Sequence, residues 1–405
     1  MTKVSGRCPY CGNNPVPHLA HWYFETLDVG LAPLRRFLLY NAWSQAFGRW
    51  LGRRRVGWRA ARLCLRLGLV RQNFDLAKCK VRRAQVLWEE AKRRGIVMSE
   101  LTLFGKGIDV YLAEKTAAAE DRALIFSGLP RPDGSGPTLD MMDDKLLLKR
   151  RLAAAGLPVP QGGAAWTVGG ALKIFRQVQK PVIVKPRSGS RGRHTTTFIF
   201  SENDLRRAVK VAKQLCSSVV VEQQLLGPVY RATVIGGPGT NLREYRLAGV
   251  LRGDGPQVTG DGRHSIGELV NLKNQELDAR VKKIQASPEM DLFLSRQGLA
   301  LSLIVPAGQL VSLSEKVGLG YGGSSSEDFD ICHPDNKELF LRAAAALGDS
   351  IVGFDFMIPD IAISWKQQKC GFIEANSLPF INLHHDPLKG TPRNAAALVW
   401  DSLGW

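Results

Sequence analysis

The sequence lacks the features that define several large classes of protein. No uncharged apolar run approaches the roughly 18 residues of a transmembrane helix, and no signal-peptide pattern opens the chain. No internal repeat and no low-complexity segment occur. The seven cysteines are odd in number and widely spaced, which indicates reduced thiols rather than a disulfide framework. These absences predict a cytoplasmic protein without a transmembrane segment, and they leave an oligomer open.

The composition is that of a globular protein with an uneven charge. Of the 405 residues, 44% are hydrophobic and 23% are charged, which excludes a chain that is disordered throughout. This length predicts two to four packed units. The formal net charge is +18, and the first 100 residues carry +13 of it, with 19 Lys and Arg against six Asp and Glu. The basic character therefore belongs mainly to the N-terminal quarter.

The N-terminal residues include four side chains that can bind zinc. Cys8 and Cys11 form a CxxC pair, and His18 and His21 follow at short spacing. A single CxxC with this histidine spacing does not match a common zinc finger. Two interpretations stay open: a structural Zn²⁺ at Cys8 and Cys11, or free thiols with surface imidazoles.

Residues 31–95 are rich in arginine, leucine and tryptophan, and their arginines recur at helical spacing. A basic amphipathic helix of this kind can contact a polyanion, such as RNA, an anionic membrane face or an acidic substrate polymer. The alternative is a solvated or packed helical face whose arginines lie over Trp50 and Trp58. We therefore expect residues 1–83 to form a basic helical segment.

Two α/β regions follow this segment. Residues 84–137 combine a helix at 84–94 with short strands and end in a linker rich in proline and glycine. Residues 138–405 continue the α/β pattern through a buried strand at 182–186. The other predicted elements are strands at 98–104, 108–112, 124–126, 195–200 and 219–222 and helices at 141–156 and 201–215. The expected fold class is α/β.

A lysine and a loop of small residues stand at the end of the buried strand. Lys185 ends the strand, and Ser188, Gly189, Ser190 and Gly192 follow among arginines. Small residues let backbone N–H groups approach a polyanion, which the cations neutralise. The pattern differs from the GxxxxGK[ST] P-loop, which the sequence lacks. A solvated hairpin turn would give the same pattern.

The strand at 219–222 ends in a short hinge. Glu222, Gln223, Gln224 and Leu225 run from polar to apolar, and the backbone of such a hinge can pair with an adenine edge. An ordinary strand and turn fit these residues as well.

Three oxygen-bearing side chains occur on two strands near the C-terminus. Asp355 lies on one strand, and Glu374 and Asn376 lie on the next. Alternation places Glu374 and Asn376 on one face of their strand. Carboxylate and amide oxygens are ligands that Mg²⁺ prefers. The alternative is a pair of surface carboxylates.

These three patterns, in this order, resemble the ATP-grasp module of cyanophycin synthetase and its relatives over about residues 140–405. The resemblance extends to Asp144-Lys145, to AGLPVP at 155–160, to GDGRHSI at 260–266 and to GTPRN at 390–394. It implies an ATP-grasp fold over 138–405, preceded by a small α/β domain.

The resemblance also implies an activity. The chain would be an ADP-forming carboxylate–amine ligase: ATP phosphorylates the carboxylate of a small molecule or peptide, and an amine, such as that of an amino acid, attacks the acyl phosphate. Arg231 or Arg252 would stabilise the oxyanion, and Lys145 and Lys185 would bind phosphate oxygens. The expected catalytic residues are Arg252, Arg231 and Lys185.

The ATP and metal sites follow from the same resemblance. Two Mg²⁺ ions would bridge the phosphates and offset their charge. The expected metal ligands are Asp355, Glu374 and Asn376. The expected ATP-binding residues are Lys145, Lys185, Ser188, Gly189, Ser190, Gly192, Glu222, Gln223, Gln224 and Leu225.

Some positions depart from the family pattern. His194 stands at a loop position that is usually glycine, and Val229 replaces a carboxylate that contacts ribose. These changes bear on substrate choice more than on the use of ATP. The chain ends at Trp405 without the Mur-ligase-like module of cyanophycin synthetase, so we expect a stand-alone ligase rather than a polymerase.

The sequence leaves two rival interpretations open. Within the enzymes, a glutathione-synthesis-like or D-alanine-ligase-like reaction uses the same fold. From another class, a nucleotide-binding protein with degenerate catalysis would use its basic N-terminus to bind nucleic acid or an anionic membrane.

Overall fold

A computed structural model describes most of the chain. The described residues are Cys8, 10–11, 15–39, 56–117, 120–132, Met142, 144–189, 192–236 and 244–405, and for 32–39, 56–58, 116–117 and 120–122 the backbone alone is described. Ser190, most of the predicted linker before residue 138 and part of the basic segment at 31–95 lie outside the described residues.

The N-terminal region combines helices with a four-stranded antiparallel sheet. The helices are α1 (His18–Leu39), α2 (Val56–Arg66) and α3 (Arg82–Arg93). The strands, paired in chain order, are β1 (Arg71–Asn73), β2 (Val97–Leu103), β3 (Lys106–Ala117) and β4 (Glu120–Ser127). The predicted helix and the three predicted strands are confirmed, whereas β1 was missed. Ala61 of α2 packs on Leu101 and Leu112, and Arg59 and Arg66 of the same helix are exposed.

The next part of the chain builds one wall of the site. After α4 (Lys145–Ala154) comes an antiparallel sheet in the order β5-β8-β6-β7, covered on one face by two helices. Its elements are β5 (Gly162–Ala165), α5 (Val168–Gln177), β6 (Val182–Pro186), β7 (Thr196–Ile199), α6 (Glu202–Ala212) and β8 (Val219–Gln223). Val182, Val184 and Val221 point toward the helices, so alternation turns Lys185 and Glu222 to the opposite face.

A six-stranded sheet builds the facing wall, in the order β15-β14-β9-β10-β13-β16. The strands are β9 (Val229–Ile235), β10 (Arg246–Asp254), β13 (Ser324–Glu327), β14 (Ile351–Met357), β15 (Gly371–Asn376) and β16 (Lys389–Gly390). One face packs on α9 (Pro334–Leu347), where Phe340, Phe354, Phe356 and Phe372 form a buried cluster. Alternation along β14 therefore turns Asp355 away from this core.

A smaller unit between β10 and β13 has its own core. It contains β11 (Gln257–Thr259), α7 (Ile266–Glu276), α8 (Pro288–Arg296) and β12 (Leu310–Ser312). Ile266, Leu294 and Leu313 are fully buried in it. The unit places α8 and the residues after β12 beside the space between the two sheets.

The C-terminus returns to the N-terminal sheet. The helices α10 (Asn382–His385) and α11 (Ala395–Ser402) follow β15. Trp400 of α11 is fully buried against Leu87, and its Nε1 donates a hydrogen bond to the Leu87 carbonyl at 3.0 Å. Among the described helices, none combines the length and the apolar character that crossing a bilayer requires.

Candidate functional site

A cavity of about 970 Å³ lies between the two facing sheets. β6 and β8 line one side, and β9, β14 and β15 line the other. The structure brings nine of the predicted site residues to this cavity, namely Lys185, Gly192, Glu222, Gln223, Gln224, Leu225, Arg231, Asp355 and Glu374. Residues that are far apart in the sequence thus meet across one space.

One wall carries two lysines that share a carboxylate. Lys185 Nζ lies 2.6 Å from Glu222 Oε1, and Lys149 from α4 bonds the other oxygen of Glu222. Burial alone would raise the pKa of Glu222, but the ammonium groups of Lys149 and Lys185 outweigh it and lower this pKa to about 2. Burial and the neighbouring Lys185 lower the pKa of Lys149. When both lysines are charged, the cluster is one unit positive, which suits a polyanion.

The opposite wall carries a row of charged side chains at paired strand positions. Arg231, Asp355 and Glu374 lie side by side on β9, β14 and β15. Arg231 donates two hydrogen bonds of 2.8 Å to the carboxylate of Asp355. Lys145 Nζ lies 3.5 Å from Glu374 Oε1, which links α4 to this row. Cations therefore flank both carboxylates.

The acidic pair has the chemistry of a magnesium site. Burial raises the pKa of Asp355, and the adjacent Glu374 adds to the rise while Arg231 opposes it. A divalent cation between the two carboxylates would relieve this repulsion, and each oxygen keeps a lone pair for it. Asn376 lies two residues beyond Glu374 on the same face, and its buried Nδ2 has no hydrogen-bond partner in the described part of the chain. The donor set of two carboxylates and one amide fits Mg²⁺.

The hinge lies along the cavity with part of its backbone already paired. The N–H of Gln223 donates to Gln161 O at 2.7 Å, and that of Gln224 donates to Pro181 O at 2.9 Å. Leu225 is buried and lines the cavity. An adenine ring nitrogen that accepts a hydrogen bond from the hinge would therefore have to take it from a backbone N–H from Leu225 onward.

The loop after β6 is only partly directed at the cavity. Gly192 lines it with a left-handed φ of 75°. Ser188 is buried, and Gly189 lies against Glu25 of α1, so Gly189 faces the N-terminal helix. Ser190 lies outside the described residues.

The structure does not bring Arg252 to the cavity. Arg252 pairs across the sheet with Tyr230, which is buried in the core under the sheet, and its Nε donates to Asp254 at 2.9 Å. Arg231 occupies the opposite face. Of the two arginines, Arg231 is the one placed beside Asp355.

Several residues in or beside the cavity escaped the sequence reasoning. Lys149 follows Lys145 by one helical turn, and this spacing of four residues could have identified it. Arg296, Glu315 and Lys316 come from the unit between β10 and β13. The sequence around Arg296 and Glu315 carries no signal of a site, whereas Lys316 is the nearest cation before the paired glycines Gly322 and Gly323. Tyr10 also lines the cavity, from the N-terminal segment.

In the structure, Cys8 and Cys11 lie beside two histidines, but only one of them, His18, is a histidine that the sequence suggested. Cys8, Cys11 and His18 cluster with His194 of the loop after β6. His21 instead bonds Gly189 O at 3.1 Å and pairs with Glu25.

Comparison with known proteins finds relatives along most of the chain. The bifunctional glutathione biosynthesis protein GshAB of Clostridium perfringens is 29% identical over 336 residues, 79% of this chain and 40% of that protein. Cyanophycin synthetase of Trichormus variabilis is 28% identical over 329 residues, 79% of this chain and 34% of that protein. The crystal structure of a bifunctional glutathione synthetase from Pasteurella multocida superposes with a TM-score of 0.54 and 25% identity, over 80% of this chain and 44% of that chain.

The chain has the ATP-grasp fold. It is a homologue of cyanophycin synthetase and of the GshAB proteins. No protein-family profile matches it. This ATP-grasp chain spans about a third to two fifths of the length of the curated relatives it matches.

Proposed function

We propose that this chain is an ATP-dependent carboxylate–amine ligase that forms ADP and an amide or peptide bond through an acyl phosphate. The observation that carries the proposal is the pair of facing walls, with Lys149, Lys185 and Glu222 on one and Arg231, Asp355 and Glu374 on the other. The homologues named above support the reaction class. The substrates are the carboxylate of a small molecule or peptide and the amine of an amino acid.

Each wall has a separate task in this reaction. Lys145, Lys149 and Lys185 neutralise the triphosphate, and the backbone from Leu225 onward holds the adenine. The apolar residues between the walls exclude water, which would otherwise hydrolyse the activated carboxylate. Arg231 fixes Asp355 and supplies positive charge beside the reacting groups.

Asp355, Glu374 and Asn376 would hold Mg²⁺, with two ions expected. When bound, the metal offsets the charge of the phosphates during phosphoryl transfer. We place the enzyme in the cytoplasm, because none of the seven cysteines forms a disulfide.

The first experiment measures substrate-dependent ADP release from Mg-ATP with pools of amino acids and short peptides, and identifies the amide product by mass spectrometry. Glu374→Gln should lower Mg²⁺-dependent turnover by at least about a hundredfold, because it removes a charged metal ligand, while leaving the fold intact.

The matched control is Glu276→Gln, an exposed carboxylate on α7 outside the cavity. It should turn over as fast as the native chain. If Glu374→Gln kept full turnover, the metal assignment would be wrong.

A further inference from the structure

Four side chains with metal-binding atoms converge where the N-terminal segment meets the loop after β6. Their ligand atoms all lie within 4.8 Å of one another. Cys11 Sγ lies 3.1 Å from His18 Nε2 and 3.4 Å from His194 Nε2, and Cys8 Sγ lies 3.6 Å from His194 Nε2. Two thiols and two imidazoles thus come from parts of the chain that are far apart in sequence.

The spacing is that of a tetrahedral zinc site. Zn–S bonds of about 2.3 Å and Zn–N bonds of about 2.05 Å put a sulfur and a nitrogen about 3.5 Å apart at the corners of a tetrahedron. The three sulfur–nitrogen distances here scatter around that value. Cys₂His₂ is a ligand set of closed, structural zinc sites.

His194 is held in the orientation that a metal ligand requires. Its Nδ1 lies 2.9 Å from Val211 O, so Nδ1 carries the proton and donates it to this carbonyl. The lone pair is then on Nε2, the atom that faces both sulfurs. A backbone carbonyl that fixes the far nitrogen of a histidine is the usual support of a metal-binding imidazole. His194 is also almost fully buried, so its ring is fixed by packing.

The backbone around the cluster is arranged as a metal-binding turn. The N–H of Cys11 donates to Cys8 O at 3.2 Å, which closes the turn between the two thiols. The N–H of His194 donates to Tyr10 O at 3.0 Å, so the loop docks directly on this turn. His18 is the first residue of α1, so a metal here would fix the start of that helix.

We propose that Cys8, Cys11, His18 and His194 bind one structural Zn²⁺ that fastens the N-terminal segment to the loop after β6. The metal holds Tyr10, which lies inside the CxxC turn, at the edge of the cavity. His194, rather than His21, is the fourth ligand.

The site has a consequence for the ligase, and this consequence rests on the proposed function. His194 is two residues beyond Gly192, which lines the cavity. Loss of the metal would free one end of this loop, and the KM for ATP should then rise with little change in kcat.

The test begins with the metal content of the native full-length chain, purified under reducing conditions. We expect about one zinc per chain. X-ray absorption of the same sample should show two sulfur and two nitrogen neighbours at the distances given above. A native chain without metal, or with a disulfide between Cys8 and Cys11, would overturn the proposal.

Variants then decide the fourth ligand. His194→Ala and Cys11→Ser should each lower zinc affinity by at least about tenfold. His21→Ala and Cys64→Ser are the controls, and both should keep the metal. Zinc that survives His194→Ala but is lost in His21→Ala would contradict the assignment.

Cobalt substitution gives a readout that needs neither a variant nor activity. The Co²⁺-loaded native chain should show the intense visible bands of tetrahedral cobalt with thiolate ligands. Octahedral cobalt spectra would refute the site. These metal measurements hold whether or not the chain proves to be a ligase, so the two proposals fail separately.

Discussion

At the scale of single residues, Glu222 has the most constrained environment of the site. It is nearly inaccessible to solvent, and both of its oxygens pair with lysines. Removing the charge of one partner of a buried ion pair lowers the free energy of unfolding by more than the intact pair contributes to it. The reason is that the other charge stays buried without compensation. Glu222 therefore stabilises the fold as well as shaping the cavity.

Glu222→Gln should lower the free energy of unfolding by about 3 kcal/mol, because the buried ammonium groups of Lys149 and Lys185 both lose the carboxylate that pairs with them. Urea denaturation measures the loss. The double variant that adds Lys149→Met should recover part of it, since one of the uncompensated charges is then gone. Equal urea midpoints for Glu222→Gln and the native chain would contradict this account of the cluster.

His385 makes stability depend on pH. Its Nε2 accepts a hydrogen bond from Ala396 N at 3.1 Å, and burial lowers the pKa of His385 from 6.5 to about 4. At a pH between these two values, the His385 ring is therefore protonated in the unfolded chain and neutral in the folded chain. The stability from the neutral ring is complete above about pH 6.5 and is lost as pH falls toward about 4, by roughly 3 kcal/mol.

His385→Gln should flatten this dependence, measured as unfolding free energies at about pH 7.5 and about pH 4.5. His264 is the control of opposite sign, because its exposed ring is held by Asp261, which raises the pKa of His264. The stability that the charged His264 ring contributes is present at low pH and is lost as pH rises. His264→Gln should therefore leave the loss of stability between about pH 7.5 and about pH 4.5 in place. A native-like slope in His385→Gln would show that another group dominates.

At the scale of elements, a bulge in β10 lets helix α10 approach the sheet. The pairing of β9 and β10 shifts between Leu247 and Gly249, and a Cβ on Gly249 would overlap the ring of His384. That ring is fully buried between Glu327 and Thr233, with hydrogen bonds of 2.6 and 2.7 Å. A side chain at position 249 would therefore collide with the immobile ring of His384, so this position requires glycine.

Gly249→Ala should destabilise the protein by about 2 kcal/mol or more, because His384 cannot move without breaking two buried hydrogen bonds. Thermal unfolding followed by circular dichroism measures the effect. Gly320→Ala is the control: apart from its chain neighbours, no atom of the described residues lies within 4 Å of its added Cβ, and its φ is ordinary. If the two variants unfolded at the same temperature, the close approach of Gly249 to His384 would contribute nothing to stability.

At the scale of the whole molecule, the sequence predicted the parts of the site whose signal is local. Lys185 ends an apolar strand, and Glu374 and Asn376 alternate on another, so strand periodicity alone places them. The assignment of these residues to one ATP site came from the resemblance to a family, because no local pattern encodes which sheets meet.

The rest depended on contacts between distant segments. His194 joins Cys8 and Cys11 only in the folded chain, and the cavity residues Glu315 and Lys316 come from a unit with its own core. Arg252 shows the limit of motif reasoning: its position relative to the bulge in β10 decides which face it occupies. Its side chain points to the face opposite Arg231.

The most direct test of the central claim follows one oxygen atom. With the substrate pair found by the ADP screen, the carboxylate is labelled with ¹⁸O and the inorganic phosphate is analysed by mass spectrometry. Phosphorylation of the carboxylate followed by attack of the amine predicts one ¹⁸O atom in each phosphate and one amide for each ADP. Unlabelled phosphate, or label in the nucleotide, would contradict a ligase that works through an acyl phosphate.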